Sequence, residues 1–529
     1  MNTDRYNRWM LFFYLLISFL LGITVAVHIL NNKKAVTRNS HLQKLNEVLN
    51  YIDRYYVDSV NIDSLYDVSI NTILQTLDPH SSYSSAEDNK MLMESLEGSF
   101  EGVGIQFNIM NDTLMVVSTI SGGPSEKAGI RAGDRMVTVD GESIIGITSE
   151  KAYKKLRGKK GTKVKVGILR PGFDEIYTYE IKRDVIPIYT VDASFMIDKQ
   201  TGYIKINEFG STTTEEFQKA IKKLKGQGMK AMILDLRGNA GGFLEAAIGV
   251  CDELLPNKEK IVSIEGLNVR PEVMYASKRG NFEEGKVVVL IDDYSASASE
   301  IVAGAVQDND RGIVVGRRSF GKGLVQRQFE LDDNSTIRLT TARYHTPSGR
   351  CIQRDYKNGT EAYYEEIINR LVNGEMETID SIKLDSTQIF KTVSGRTVYG
   401  GGGIMPDHFV PLQYSDTKSG FYAVSNTAAL VQYCFRYATD HKSALLKQYP
   451  DVNAFCNKMV VSDAQVKELL QYYQKLTKNE PPVLNAESKK ELKVWMKALI
   501  GRNLFGDEAY YKTVNTTDPV VLKALEVMK

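Results

Sequence analysis

At 529 residues the chain is longer than one hydrophobic core usually organises, so several domains are expected. Its 66 Lys and Arg against 65 Asp and Glu leave a formal charge of +1, which gives no reason to expect nucleic acid as a partner. The 43% hydrophobic and 25% charged residues are those of an ordinary globular protein. Four scattered cysteines (Cys251, Cys351, Cys434, Cys456) form no CxxC pair and no metal-ligand spacing, so no metal or other cofactor is expected.

In chain order, Trp9 to Leu30 comes first, an apolar run long enough to cross a hydrocarbon core as a helix. It lacks the small-residue cleavage site of a signal peptide, so residues 1–30 are expected to be an uncleaved membrane anchor. Arg5 and Arg8 precede it and Lys33, Lys34 and Arg38 follow, leaving its orientation open. Residues 31–97 form an N-terminal helical segment, with Leu42, Leu45, Val48, Leu49 and Ile52 at helical spacing until Asp78, Pro79 and His80 break the pattern. From 98 to 186 the texture changes to short alternating runs with glycine turns, a β module with one helix at Ser149 to Leu156. Residues 187–412 alternate strands and helices, as an α/β core requires. Residues 413–529 are predicted helical, with Leu469, Leu470, Tyr473 and Leu476 as a core-facing stripe.

The densest chemistry lies between Val287 and Gln326. An apolar strand, Val287 to Ile291, breaks into small residues and then a helix, which puts Ser297 near a strand-to-helix turn. After the next apolar run, Lys322 sits between Gly321 and Gly323 with no charged immediate neighbour. A serine needs a base to become a nucleophile, and a lysine serves only when burial lowers its pKa from ~10.4. Arg317 and Arg318 would lower it further if they approach it in space. Taken alone, Ser297 reads as a helix cap, since Ser-Ala-Ser-Glu at 297 to 300 is a capping box, and Lys322 as a solvated turn lysine. GRRSFGKG, 316 to 323, matches a phosphate-binding loop except at Gly323, and the alternation after it predicts a strand instead of the required helix. Upstream, strand Ala231 to Leu236 runs into Arg237, Gly238, Asn239, Ala240, Gly241 and Gly242, a turn whose amides are open to a ligand's oxyanion. In the β module, FEGVGI at 100 to 105 suits a nest of amides for a peptide carboxylate, with the following strand able to add the peptide as another strand.

Over residues 40 to 410 the chain resembles the carboxyl-terminal processing, or tail-specific, proteases. EGVGIQF and GPSEKAGIRAGDRMVTVDG are similar to their PDZ domain. LDLRGNAGG, SASASEIVAGAVQDNDRGIVVGRRSFGKGLVQ, TARYHTPSGR and GRTVYGGGGIMPD are similar to successive segments of their catalytic core. The resemblance implies an α/β multidomain serine endopeptidase: an α/β peptidase core with an inserted PDZ β-module, an N-terminal helical segment and a C-terminal helical region. It implies Ser297 as nucleophile, Lys322 as general base and Gln326 as the residue orienting the lysine. Ala298 N–H with an amide of Gly241 or Gly242 would form the oxyanion hole, and Glu300 and Asp308 would be supportive. Gly102, Val103, Gly104 and Ile105 would bind the peptide carboxylate. Full extension would set the Cα atoms of Lys322 and Gln326 about 13 Å apart, so the side chains must lean together or Gly323 must bend the chain. Arg317 stands where the family commonly has glutamate, which leaves the local charge pattern open.

The expected partners are protein substrates with apolar C-termini and a membrane, met through the N-terminal helix. A homodimer through the helical regions and an adaptor protein are left open. The resemblance implies a cell-envelope location, with the globular part on the periplasmic or extracytoplasmic side. Two other readings stand beside this one: a PDZ scaffold that binds tails without cutting them, and a Ser-His hydrolase using His345, for which no GxSxG elbow is present.

Overall fold

Where a sheet is buried on both faces its strands are continuously apolar, and the runs at Ala231, Val287 and Ile313 are of this kind. The computed structural model describes Met10, residues 16–24 and residues 43–529, except 111, 121, 171, 172, 174, 279 and 413–418. The chain divides into two units, residues 1–77 and 78–529. In the first, residues 43–55 are helical, and helix α1 (Ile62–Gln75) starts at Asn61, whose side chain accepts the Ser64 N–H at 3.2 Å. Most of the expected anchor lies outside the described residues. Met10 and residues 16–24 are helical and exposed, and no described helix is long and apolar enough to cross a membrane.

In the second unit the β module begins with β1 (Ser99–Gly102) and β2 (Ile105–Met110). β2 is the edge of an antiparallel sheet that continues through Thr113–Thr119, Arg135–Val139, Lys163–Leu169 and Ile176–Lys182. Alternation turns Leu114, Val116, Met136, Val164, Val166 and Ile168 inward, all fully buried. Helix α2 (Ser149–Leu156) closes this core with Ala152 and Leu156. Strand β3 (Asp184–Pro187) pairs antiparallel with β1, Ser99 opposite Pro187 and Gly102 opposite Asp184. Entry and exit of the module are thus fastened together, the arrangement expected of an inserted domain.

The α/β core is a six-stranded sheet in the order β4 (Val191–Met196), β5 (Thr201–Ile206), β6 (Ala231–Asp235), β7 (Lys286–Ile291), β8 (Ile313–Gly316) and a terminal strand, His408–Phe409. β4 and β5 are antiparallel and every later pairing is parallel. Helices α3 (Thr213–Gly226), α4 (Leu244–Leu254) and α5 (Ala298–Asp308) pack on one face. All residues of α5 are buried, and at its end Asp308 forms an ion pair with Arg350 at 2.7 Å, both side chains fully enclosed. A second, antiparallel sheet carries β9 (Leu324–Glu330) and β10 (Thr336–His345). A strand follows GRRSFGKG, which removes the phosphate-loop reading.

Beyond residue 418 the chain is helical, with Phe455, Leu469, Leu492, Met496 and Ile500 fully buried in a core of their own. The last helix, α7 (Pro519–Val527), packs on the central sheet, and α6 (Asp507–Val514), which lies on the helix Ala486–Phe505, reaches the same sheet through Tyr511. Val520, Val521, Ala524 and Met528 pack on Phe195, Tyr203, Ile233, Val288, Leu290 and Val315. These residues cover the sheet face opposite α3, α4 and α5, so both faces of the parallel strands are closed.

Candidate active site

β7 ends at Ile291 and the chain turns through Asp292 to Ala296 before α5 begins. Asp292 Oδ1 accepts the N–H groups of Tyr294 and Ser295, each at 3.1 Å, and that of Gly238 at 2.9 Å, joining this turn to the one after β6. Ser297 is the N-cap residue, with φ +54° and ψ −112°, a conformation a non-glycine residue holds only when its surroundings impose it. The Glu300 carboxylate accepts its N–H at 2.9 Å, and the Glu300 N–H donates to the Ser297 carbonyl at 2.9 Å.

Glu300 is fully enclosed and does more than close a helix. Its Oε2 also accepts the Lys322 N–H at 2.9 Å, and its Oε1 accepts the Gly321 N–H at 2.7 Å and the Ser319 hydroxyl at 2.5 Å. Burial pushes its carboxyl up, and the four donors oppose that. One carboxylate oxygen thus holds the backbone amides of Ser297 and Lys322 side by side. Tyr344 ties them a second time, its hydroxyl donating to the Lys322 carbonyl at 2.7 Å and lying 3.2 Å from the Ser297 carbonyl.

The Lys322 Nζ donates to Gln326 Oε1 at 3.1 Å, and Gln326 Nε2 donates to the His80 carbonyl. The side chains do lean together, where the β9–β10 register slips between Val325 and Gln326. Burial, then the charge of Arg338, lowers the Lys322 pKa to about 8, with Glu300 and Asp78 opposing. Arg317 and Arg318 are not the cause. Arg317 is held by Asp293 at 2.6 Å and Arg318 by Glu375 at 2.6 Å and Glu366 at 3.2 Å. These acids pair with both guanidiniums.

The turn after β6 lies against the serine: a Cβ on Gly241 would sit 2.8 Å from Ser297 Cβ and 3.1 Å from the Ala298 nitrogen. Gly241 (φ +106°) donates its own N–H to Asn239 Oδ1 at 2.9 Å. Among the described hydrogen bonds none engages the N–H of Gly242 or of Ala298. The Asn239 carbonyl accepts from Ala296 N–H at 3.0 Å and Ser299 Oγ at 2.9 Å, so the glycine turn and the serine turn form one laced unit.

In the β module, Gly102 to Ile105 lead from β1 into the edge strand β2. The Val103 carbonyl accepts from Ser125 N–H at 3.0 Å and Oγ at 2.7 Å, and the Gly104 carbonyl from Ile120 N–H at 3.0 Å. Ile105, Phe107 and Ile109 form a half-buried apolar row on β2, and the Phe107 ring lies 4.8 Å from that of Tyr153 on α2.

Three contributors escaped the sequence analysis: His80, whose carbonyl anchors Gln326, Tyr344 and Arg338. The break at Asp78, Pro79 and His80 was the available signal for the first. Asp78 Oδ1 accepts the N–H groups of His80 and Ser81, both at 2.8 Å, fixing that turn. His345 neighbours Tyr344 on β10, so its side chain leaves the opposite face of the strand, and in register it stands opposite Ser263 of Lys260–Gly266. This placement takes away the Ser-His reading.

Peptidase family S41 matches residues 200–362, a PDZ domain residues 92–169, and a family of unknown function (DUF8443) residues 421–506. The chain is 40% identical over 335 residues to the carboxy-terminal processing protease CtpA of Bacillus subtilis (strain 168), covering 63% of this chain and 71% of that one. It is 37% identical over 348 residues to a carboxy-terminal-processing protease of Bartonella bacilliformis, covering 64% and 80% respectively. To CtpB of Bacillus subtilis it is 35% identical over 327 residues, covering 61% and 67%. With its PDZ module and its α/β core, the chain belongs to the carboxy-terminal processing proteases, serine peptidases of family S41 that use a Ser/Lys dyad.

Proposed function

We propose that Ser297 and Lys322 are the dyad of this chain and that it cleaves proteins presented by their apolar C-terminal tails. The observation that carries this reading is the Glu300 oxygen shared by the two amides. Neutral Lys322, steadied by Gln326, takes the Ser297 proton as Oγ attacks the scissile carbonyl. The amides of Ala298 and Gly242 receive the oxyanion, the Gly241 amide being engaged by Asn239. The lysine then returns the proton to the leaving amine, and a water activated by the same amine releases the acyl group.

The amides of Gly102 to Ile105 receive the tail's carboxylate, β2 pairs with its backbone, and the row of Ile105, Phe107 and Ile109 favours apolar side chains. Trp9 to Leu30 anchors the enzyme in the cytoplasmic membrane with its globular part on the extracytoplasmic side. Its length and lack of charge support that reading, and carbonate washing of membranes checks it: release of the protein would remove the anchor. For the chemistry, wild type, Ser297→Ala, Lys322→Ala and His345→Ala are incubated with a protein ending in an apolar tail. Cleavage should vanish in the first two variants and persist in the third. Unchanged cleavage by Ser297→Ala or Lys322→Ala would sink the assignment.

A further inference from the structure

The oxyanion turn is anchored from a region with no part in the dyad. β6 ends at Asp235, and Leu236, Arg237 and then Gly238 to Gly242 follow directly. Arg237 folds back on Asp235, with Nη2 to Oδ2 at 2.6 Å and Nε to Oδ1 at 3.0 Å. Its remaining arm, Nη1, donates to Asp518 Oδ2 at 2.8 Å. Asp518 is the N-cap of α7, and its other oxygen accepts from Val520 N–H at 2.9 Å and Val521 N–H at 3.2 Å. Lys205 Nζ donates to the Arg237 carbonyl and lies 3.6 Å from Asp235, and Tyr203 donates to Asp235 at 2.7 Å.

The cluster sets Asp235 and Asp518 against Arg237 and Lys205, and Asp192 also acts on Lys205. Three of the first four sit in or just after the strand pair that delivers the glycine turn, and the fourth comes from a helix about 280 residues later in the chain. Without Asp518 one arm of Arg237 loses its acid in a largely enclosed space, and the cheapest relief is for Arg237 to turn outward. Its backbone would follow, and the next residues carry the amides aimed at the oxyanion. We propose that Asp518 is a positioning residue for catalysis, holding the oxyanion turn in place through Arg237. The C-terminal helix thereby forms part of the peptidase machinery as well as of its core. This rests on the assignment of the Gly242 and Ala298 amides as the oxyanion hole.

Asp518→Asn and Asp518→Ser both retain a good N-cap, so α7 keeps its start while Arg237 loses one of its two charged partners. Each variant is assayed for kcat and KM on a tail-bearing peptide, for affinity toward a peptidyl boronic acid, which forms a tetrahedral adduct on serine, and for Tm. Val521→Ala is the control, since it loosens the same helix without touching Arg237. Expected is a fall in kcat of about 10- to 100-fold with KM little changed, and a parallel loss of boronate affinity. Val521→Ala should lower Tm while leaving kcat near wild type at temperatures where it is folded. Wild-type kcat and boronate affinity in both Asp518 variants would overturn the proposal, as would an equal loss of kcat in Val521→Ala. Should one Asp518 variant fail to fold, the other decides. If wild type forms no adduct that Ser297→Ala abolishes, the active-site assignment itself has failed, an outcome distinct from an unaltered Asp518 variant.

Discussion

A lysine works as a base only when neutral, and the surroundings of Lys322 set how much of it is. With its pKa lowered to about 8 by burial and by Arg338, its neutral fraction falls tenfold for each pH unit below that value. kcat/KM should therefore rise with pH and level off above about 8. Replacing Arg338 with methionine removes a positive charge that disfavours the ammonium, so the pKa rises and the limb moves to higher pH. A pH–rate profile of the variant that overlays the wild type would contradict this electrostatic role. Ser297 and Lys322 were legible as candidates through the order of family-like segments around them, since taken alone they read as a helix cap and a solvated turn lysine. His80, Tyr344 and Arg338 were not, because their roles depend on β9 and β10 being brought beside residues 78–80, which spacing along the chain does not record.

At the scale of elements, the β1–β2 connection shows how little freedom the tail-binding segment has. Gly104 has φ +72°, and a Cβ there would lie 2.8 Å from Ile186 Cδ1 on β3. Gly104→Ala should displace the loop amides and raise KM for a tail-bearing substrate about tenfold, with kcat close to wild type. An unchanged KM would separate this loop from tail recognition. The strands of the parallel sheet were readable as apolar runs, and Ser149 to Leu156 as a helix. What α6 and α7 pack against was not, because a helical stripe announces that a face is buried without naming its partner. The missing information was the second face of the sheet, which α3, α4 and α5 leave uncovered.

For the whole molecule, the pairing of Gly102 with Asp184 makes the β module a separable insert. Replacing residues 103–183 with a short glycine–serine link should leave the core folded and able to cut an unstructured peptide. The advantage of substrates with apolar tails should disappear, read as equal kcat/KM for tailed and tailless versions. Retained discrimination would place tail selection in the core. The module also meets the C-terminal helices: a Cβ on Gly133 would lie 2.8 Å from Thr439 Cγ2. The order of segments made both domains readable in the sequence, whereas this contact joins two stretches that no motif relates.

The course of α7 across the sheet bears on how the enzyme is made. The ribosome delivers Ser297, Lys322 and the glycine turns well before residues 519–527, and until those emerge Ile233, Val288 and Leu290 have one bare side. A nascent chain should therefore hold every reacting group yet lack the surface that fixes them, so that proteolytic competence arrives only after residues 519–527 have emerged and packed on the sheet. Chains arrested before residue 507 should be readily digested by an added protease and should not label with a serine-directed boronate probe. Ordered in this way, synthesis itself delays a cutting enzyme until its sheet is covered on both faces.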